Sequence, residues 1–133
     1  MNIKIRNLIL LFIIFVLSLI FLPQQRSRAE APEMTYDQKL DEWIYKVMEK
    51  ESSGRKLLVV LDTNNKYSYG CLQYQMATWN YYSKKYGIDA EIMDCNAQIE
   101  VTRNIIKYEK DGWRNWWTTV VKKGVGLPPE KTP

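Results

Sequence analysis

Glu51-Ser52-Ser53-Gly54 closes one amphipathic segment of this 133-residue chain, and Ser68-Tyr69-Gly70-Cys71-Leu72-Gln73 follows about one hairpin later. Upstream of the first stretch, Thr35 with Gln38 three residues on forms a capping box, so a helix is expected to start near Tyr36. Its apolar positions, Leu40, Trp43, Ile44, Val47 and Met48, are spaced three, one, three, one. Position 51 continues that series, which puts Glu51 on the buried stripe. Ser52, Ser53 and Gly54 then stop the helix, with Gly54 suited to the left-handed position after the last turn.

Between the two stretches, Leu57 to Leu61 is a short aliphatic run rich in β-branched residues, and Asp62-Thr63-Asn64-Asn65-Lys66 is turn chemistry. Tyr67 to Tyr69 is expected to pair back on that run as a small hairpin. Beyond the second stretch, Gln75 to Tyr86 reads as a helix closed by Gly87. Asp94 caps the next, which runs to about Lys110 with Ile99, Thr102 and Ile106 on one face. Trp113, Trp116, Trp117, Val120 and Val121 repeat the three-one spacing in a last helix closed by Gly124. Leu127-Pro128-Pro129 begins a tail. The expected fold class is mainly α, formally α+β, a helical domain over residues 36–127 with one small β-hairpin. A linker at 30–35 precedes it and a tail at 128–133 follows.

The first 29 residues are set aside. Lys4 and Arg6 precede an apolar run from Leu8 to Leu22, and polar residues follow, with Ser27-Arg28-Ala29 offering a cleavage point. That order is a secretory signal, and the run falls short of the roughly 20 residues of a spanning helix. A cleaved signal is the main expectation and an uncleaved anchor the alternative. The expected location is exported: periplasmic, extracellular or anchored at the outer face of the membrane. Lys4, Arg6, Arg26 and Arg28 lie in this segment and no acid does. Its removal leaves 15 basic against 15 acidic residues, in place of the full chain's net charge of +4. The electrostatic case for nucleic acid goes with it.

The chain has no His, which excludes Ser-His-Asp and Cys-His catalysis and argues against zinc. No metal or cofactor is expected. Cys71 and Cys95, the two cysteines, read as a disulfide in an oxidising compartment; the alternative is a pair of buried free thiols. Three features favour a protonated Glu51: its inward phase, its place at a helix C-terminus, and the apolar residues on the same face. A carboxylic acid that keeps its proton near neutral pH is what cleavage of a glycosidic bond requires. The competing reading is an exposed helix-end glutamate, displaced by one residue of phase.

Glu51-Ser52-x-Gly54, a gap, then Ser68-x-Gly70-x-x-Gln73 resembles the signature of soluble lytic transglycosylases and the related goose-type lysozyme-like domains. The likeness runs from about Tyr36 through Trp117 and includes an Asp94…Gln98-Ile99 segment similar to the family's later helix. It implies a lysozyme-like fold, peptidoglycan strands as the partner, and Glu51 as the single catalytic acid; a monomer is expected. Glu51 would protonate the oxygen of the N-acetylmuramic acid–N-acetylglucosamine β-1,4 bond. The muramyl residue would then close on its own 6-hydroxyl, with Glu51 as base, or be captured by water. Inverting hydrolysis wants a second carboxylate about 6.5–9.5 Å away. Asp62 is the candidate, against the plainer reading that it organises the Asn-rich turn. Asp62-x-Asn64 also begins like a calcium loop, but Tyr67 stands where glycine belongs and no glutamate closes it.

Ser52, Ser68, Tyr69 and Gln73 are the expected substrate-binding residues, with Tyr69 or Tyr74 stacking on a sugar ring. The plainer reading of Gln73 is an amide satisfying backbone near the glycine turn. Trp113, Trp116 and Trp117 read as core, as do Trp43 and Trp79. One departure stands out: family members often carry a Tyr some seven residues after an Asn-Ile pair, positioning the acid. Here that stretch is Gln98-Ile99 through Ile105, and the phenol is missing unless Tyr108 or another Tyr substitutes. Besides the transglycosylase, three readings stay open: a lysozyme-type hydrolase, a non-catalytic cell-wall-binding module of the same fold, and a membrane-tethered assembly factor.

Overall fold

Thr35 starts the first helix, α1 (Tyr36–Ser52), in the computed structural model, which describes residues 32–131. The expected signal at 1–29 and the first part of the linker lie outside the described residues. Both halves of the capping box form: the Gln38 amide N–H donates to Thr35 Oγ1 at 3.3 Å, and the Thr35 N–H to Gln38 Oε1 at 2.8 Å. Leu40, Trp43, Ile44 and Val47 are buried along one stripe, as their spacing requires. The left-handed turn at the helix end begins one residue earlier than expected. Ser53 already sits at φ 53°, and Gly54 continues at φ 71°.

The expected hairpin is a three-stranded antiparallel sheet: β1 (Val59–Leu61), β2 (Tyr67–Tyr69) and β3 (Tyr74–Gln75), in that order. Val60 lies opposite Ser68, and Ser68 opposite Gln75. β3 has two residues, too few for any periodicity to announce it. The aliphatic run that predicts β1 is not core, since Val59, Val60 and Leu61 are all exposed.

α2 (Met76–Lys85) and α3 (Cys95–Tyr108) follow, α3 capped by Asp94, whose side chain accepts from the N–H groups of Asn96 and Ala97. The buried face of α3 is Gln98, Val101, Thr102 and Ile105, one residue out of phase with the expected Ile99, Thr102 and Ile106. Thr102 is common to both faces, and Gln98, a polar residue that an apolar pattern passes over, is fully buried with its amide bonded to backbone groups. The last expected helix is two short pieces instead, a 3-10 helix at Gly112–Trp116 and a π-helix at Thr118–Lys122. Gly112 packs so close to α3 that a Cβ there would lie 2.6 Å from Ile105 Cγ2. Changing from a tight to a wide turn re-aims the side chains, so Trp116, Thr119 and Val120 are buried while Trp117 and Val121 face out.

Helix α1 packs against α3 to form the centre of the core, with Trp79, Tyr74 and Trp116 beside it in edge-to-face contacts at 5.6 and 5.4 Å between ring centroids. Cys71 and Cys95 are joined, with their Cα atoms 5.6 Å apart. Closing that loop contributes about 3 kcal/mol in the chain-entropy description. After the π-helix, the Val125 N–H donates to the Thr119 carbonyl at 3.4 Å and the Gly126 N–H to that of Val120 at 3.1 Å. The Trp43 indole N–H donates to the Gly126 carbonyl at 2.8 Å. In the expected tail, Lys131 Nζ reaches the Lys107 carbonyl at 3.0 Å. The described residues thus make a mixed α+β unit, helical for the most part, with a small antiparallel sheet at one side.

Candidate active site

Glu51 sits in the last turn of α1, where the apolar stripe passes the edge of the core. At 100° per residue it points within about 20° of Leu40, so its inward phase holds. No layer of protein covers that point, however, and Glu51 is half-buried on the wall of an open cleft of about 640 Å³. The residue buried at this helix end is Ser52, whose hydroxyl donates to the Cys71 carbonyl at 2.7 Å and whose side chain is not part of the cleft. The expected role of Ser52 in binding substrate is corrected accordingly: it ties α1 to the loop after β2.

One wall of the cleft is the sheet, with Val60, Leu61, Asp62, Ser68 and Gln75. The other is the broken C-terminal helix, from Arg114 to Thr119 with Lys123, and Gln73, Tyr74 and Glu51 lie between them. The fold therefore gathers Glu51, Asp62, Ser68 and Gln73 around one space. Tyr69 is not among the residues facing it; it lies on the other side of the sheet, its ring 6.4 Å from that of Tyr67.

Two carboxylates line the cleft, and their surroundings differ. Asp62 is occupied: its Oδ2 accepts from the Ser68 hydroxyl and, at 2.8 Å, from the Gln75 amide. The Asp62 backbone N–H and carbonyl close the turn through Lys66 and Asn65, both below 3.0 Å. This is the turn-organising role. Glu51 accepts from the Thr119 hydroxyl at Oε1 and has no ion-pair partner among the described residues. Thr119 is fully buried and belongs to the π-helix, so its hydroxyl is held in place by the core around it. Sequence reasoning missed it, since the three-one spacing of the final segment picks out Val120 and Val121. Tyr108, the suggested stand-in for the missing phenol, lies exposed against Tyr86, 6.4 Å between centroids, outside the cleft.

Gln73 occupies the left-handed region at φ 54°, which is costly for a residue with a Cβ. Its amide offsets that cost by donating to the Gly70 carbonyl at 2.7 Å and the Leu58 carbonyl at 3.3 Å, the backbone-satisfying role, from a position on the cleft. Gly70 has two reasons to be glycine. Its φ is 75°, and a Cβ would fall 2.3 Å from Gln98 Nε2. The Gln98 side chain fills that space: Nε2 donates to the carbonyls of Tyr69, at 2.9 Å, and Ile92, while Oε1 accepts from the Leu72 N–H at 2.8 Å. Both N–H donors and the oxygen are used.

Tyr74, although it borders the cleft, does not supply a proton. Its hydroxyl is bonded to Thr102 Oγ1 at 2.7 Å, and burial pushes the phenol far above its usual range, so it stays neutral. Trp116, by contrast with Trp117, is anchored, its indole N–H donating to the Leu72 carbonyl at 3.0 Å. Trp117 is exposed on the cleft wall and offers an aromatic surface there. No family model, curated protein or solved structure matches the chain.

Proposed function

We propose that this chain is an exported peptidoglycan-cleaving enzyme of lysozyme-like fold, a lytic transglycosylase with Glu51 as its general acid and base. One observation carries the reading. Of the two carboxylates on the cleft, Glu51 accepts a side-chain hydrogen bond from Thr119 and makes no ion pair among the described residues, while Asp62 is consumed by Ser68 and Gln75. A mechanism with one working carboxylate fits that asymmetry better than direct hydrolysis, which asks a second carboxylate to activate water. The resemblance of Glu51-Ser52-x-Gly54 and Ser68-x-Gly70-x-x-Gln73 to the lytic transglycosylase signature supports the same reaction.

In the proposed reaction the Glu51 carboxyl gives its proton to the bridging oxygen as the bond from the muramyl C1 breaks. The resulting carboxylate takes the proton of the 6-hydroxyl as that oxygen bonds to C1, which regenerates the acid and leaves a 1,6-anhydro end. In this reading Gln73 and Trp117, which line the cleft, meet the sugar, and Arg114 and Lys123 bring positive charge to the wall opposite the sheet. The glycan strand is the partner, and the enzyme works as a monomer. Mass analysis of isolated peptidoglycan after digestion tests the reaction. We expect 1,6-anhydro ends. Reducing ends would move the assignment to a hydrolase and give Asp62 the second role, and intact sacculi that retain bound protein would leave only a binding module.

Thr119 donates its hydroxyl to Glu51, and in this reading it takes the positioning role that the missing phenol leaves open. A hydrogen bond worth about 1–1.5 kcal/mol corresponds to roughly tenfold in rate. Thr119→Val is expected to lower kcat on peptidoglycan by about that factor with KM little changed, and Thr119→Ser to restore it. Equal losses in both variants would show that Thr119 acts through packing alone.

A further inference from the structure

The sheet has an open edge next to the cleft. In β1 the ladder bonds fall on alternate residues: the Asp62 N–H donates to the Lys66 carbonyl at 2.8 Å, the Gly70 N–H to the Leu58 carbonyl at 2.8 Å, and Val60 pairs with Ser68 between them. The N–H and C=O groups of Val59 and Leu61 therefore point away from β2. With strand order β1-β2-β3, nothing in the sheet lies beyond them. Leu57, Val59 and Leu61 are 80, 47 and 53 % exposed. The strand carries no Pro and no charge, the usual guards of a free edge. Arg55 and Lys56 come just before it, both exposed and neither in an ion pair among the described residues. The same strand continues into the proposed substrate cleft through Val60 and Leu61.

We propose that the outer edge of β1 docks an extended, carboxylate-bearing peptide, namely the peptide branch of the glycan polymer that occupies the cleft. The proposal rests on the peptidoglycan reading of that cleft. A peptide laid along β1 would satisfy the outward amide groups of Val59 and Leu61 by strand addition. Arg55 and Lys56 would face its free carboxylates. A second copy of this chain is the poorer occupant. Three residues a side fall far short of the roughly 20–30 a side of a stable interface.

The test is a titration of the 15N-labelled full chain with the isolated stem tripeptide L-alanyl-γ-D-glutamyl-diaminopimelate, followed through amide shifts. We expect saturable shifts at Val59 and Leu61 that weaken as salt is added. Val59→Pro removes an outward N–H and no ladder bond, and with Lys56→Glu it is expected to raise Kd at least tenfold. Lys56→Glu alone, which leaves the strand untouched, is expected to raise it severalfold. Absence of shifts, or shifts confined to other surfaces, would overturn the proposal. So would shifts at β1 that track protein concentration without peptide, since those identify a second copy as the occupant. Digestion of peptide-free glycan strands by the parent protein separates the two readings. If it fails both there and on intact peptidoglycan, the cleft assignment is wrong, whereas the peptide titration judges the edge on its own.

Discussion

Glu51→Gln is expected to leave the fold intact and to slow peptidoglycan cleavage by at least a hundredfold. The amide has the shape of the acid and still accepts the Thr119 hydroxyl through its oxygen. Glu51 is half-buried and makes no ion pair among the described residues, so its replacement strands no buried charge. On the proposed mechanism, the lost function is proton transfer. The amide can neither protonate the leaving oxygen nor take the proton of the 6-hydroxyl, and a positioned acid–base group is worth about 10²–10⁴-fold. Thermal unfolding should coincide for parent and variant while release of soluble muropeptides stops. Cleavage that persists at the parental rate would remove Glu51 from the reaction. A similar loss in Asp62→Asn would not by itself implicate Asp62 in catalysis, because that change also disturbs the bonds to Ser68 and Gln75.

Gln98→Leu should be the most destabilising single substitution near the site. The volumes are similar, so no cavity opens, but the Leu72 N–H and the Ile92 carbonyl lose the Gln98 amide inside the core, and the part-buried Tyr69 carbonyl loses one of its bonds. Each stranded buried group costs about 1–3 kcal/mol, and a total on the order of 4 kcal/mol lowers Tm by roughly 15 °C or more in a domain of this size. The loop from Gly70 to Gln73 lies between those groups, so cleavage should fall with stability. A Tm within a few degrees of the parent would show that water or backbone movement replaces the amide.

The parts of this molecule that were legible in the sequence are those with local causes. The Thr35–Gln38 box, the Leu40-to-Met48 spacing, the Asp62–Lys66 turn and the Asp94 cap each act within a few residues and formed as expected. The pairing of Cys71 with Cys95 was also legible, because a chain with two cysteines has one possible intramolecular bridge. What escaped reading depends on distant partners. Glu51 kept its phase but not its burial, since helical periodicity gives a direction and says nothing about whether protein or solvent lies there. Ser52 and Gln98 are polar residues that became core by serving carbonyls and amides from other elements. Thr119 was hidden by the π-helix, which breaks the 3.6-residue rule that pointed to its neighbours. Tyr69 fell on the far side of the sheet because strand alternation fixes which faces match but not which of them meets the cleft.

The chain's last turn before Leu127 acts as a latch. Val125 and Gly126 bind the carbonyls of Thr119 and Val120, and Gly126 is caught in turn by the Trp43 indole on the helix that carries Glu51. A nick or truncation just after Lys123 would therefore spring the wide turn behind Glu51 from a distance, without removing any side chain that lines the cleft.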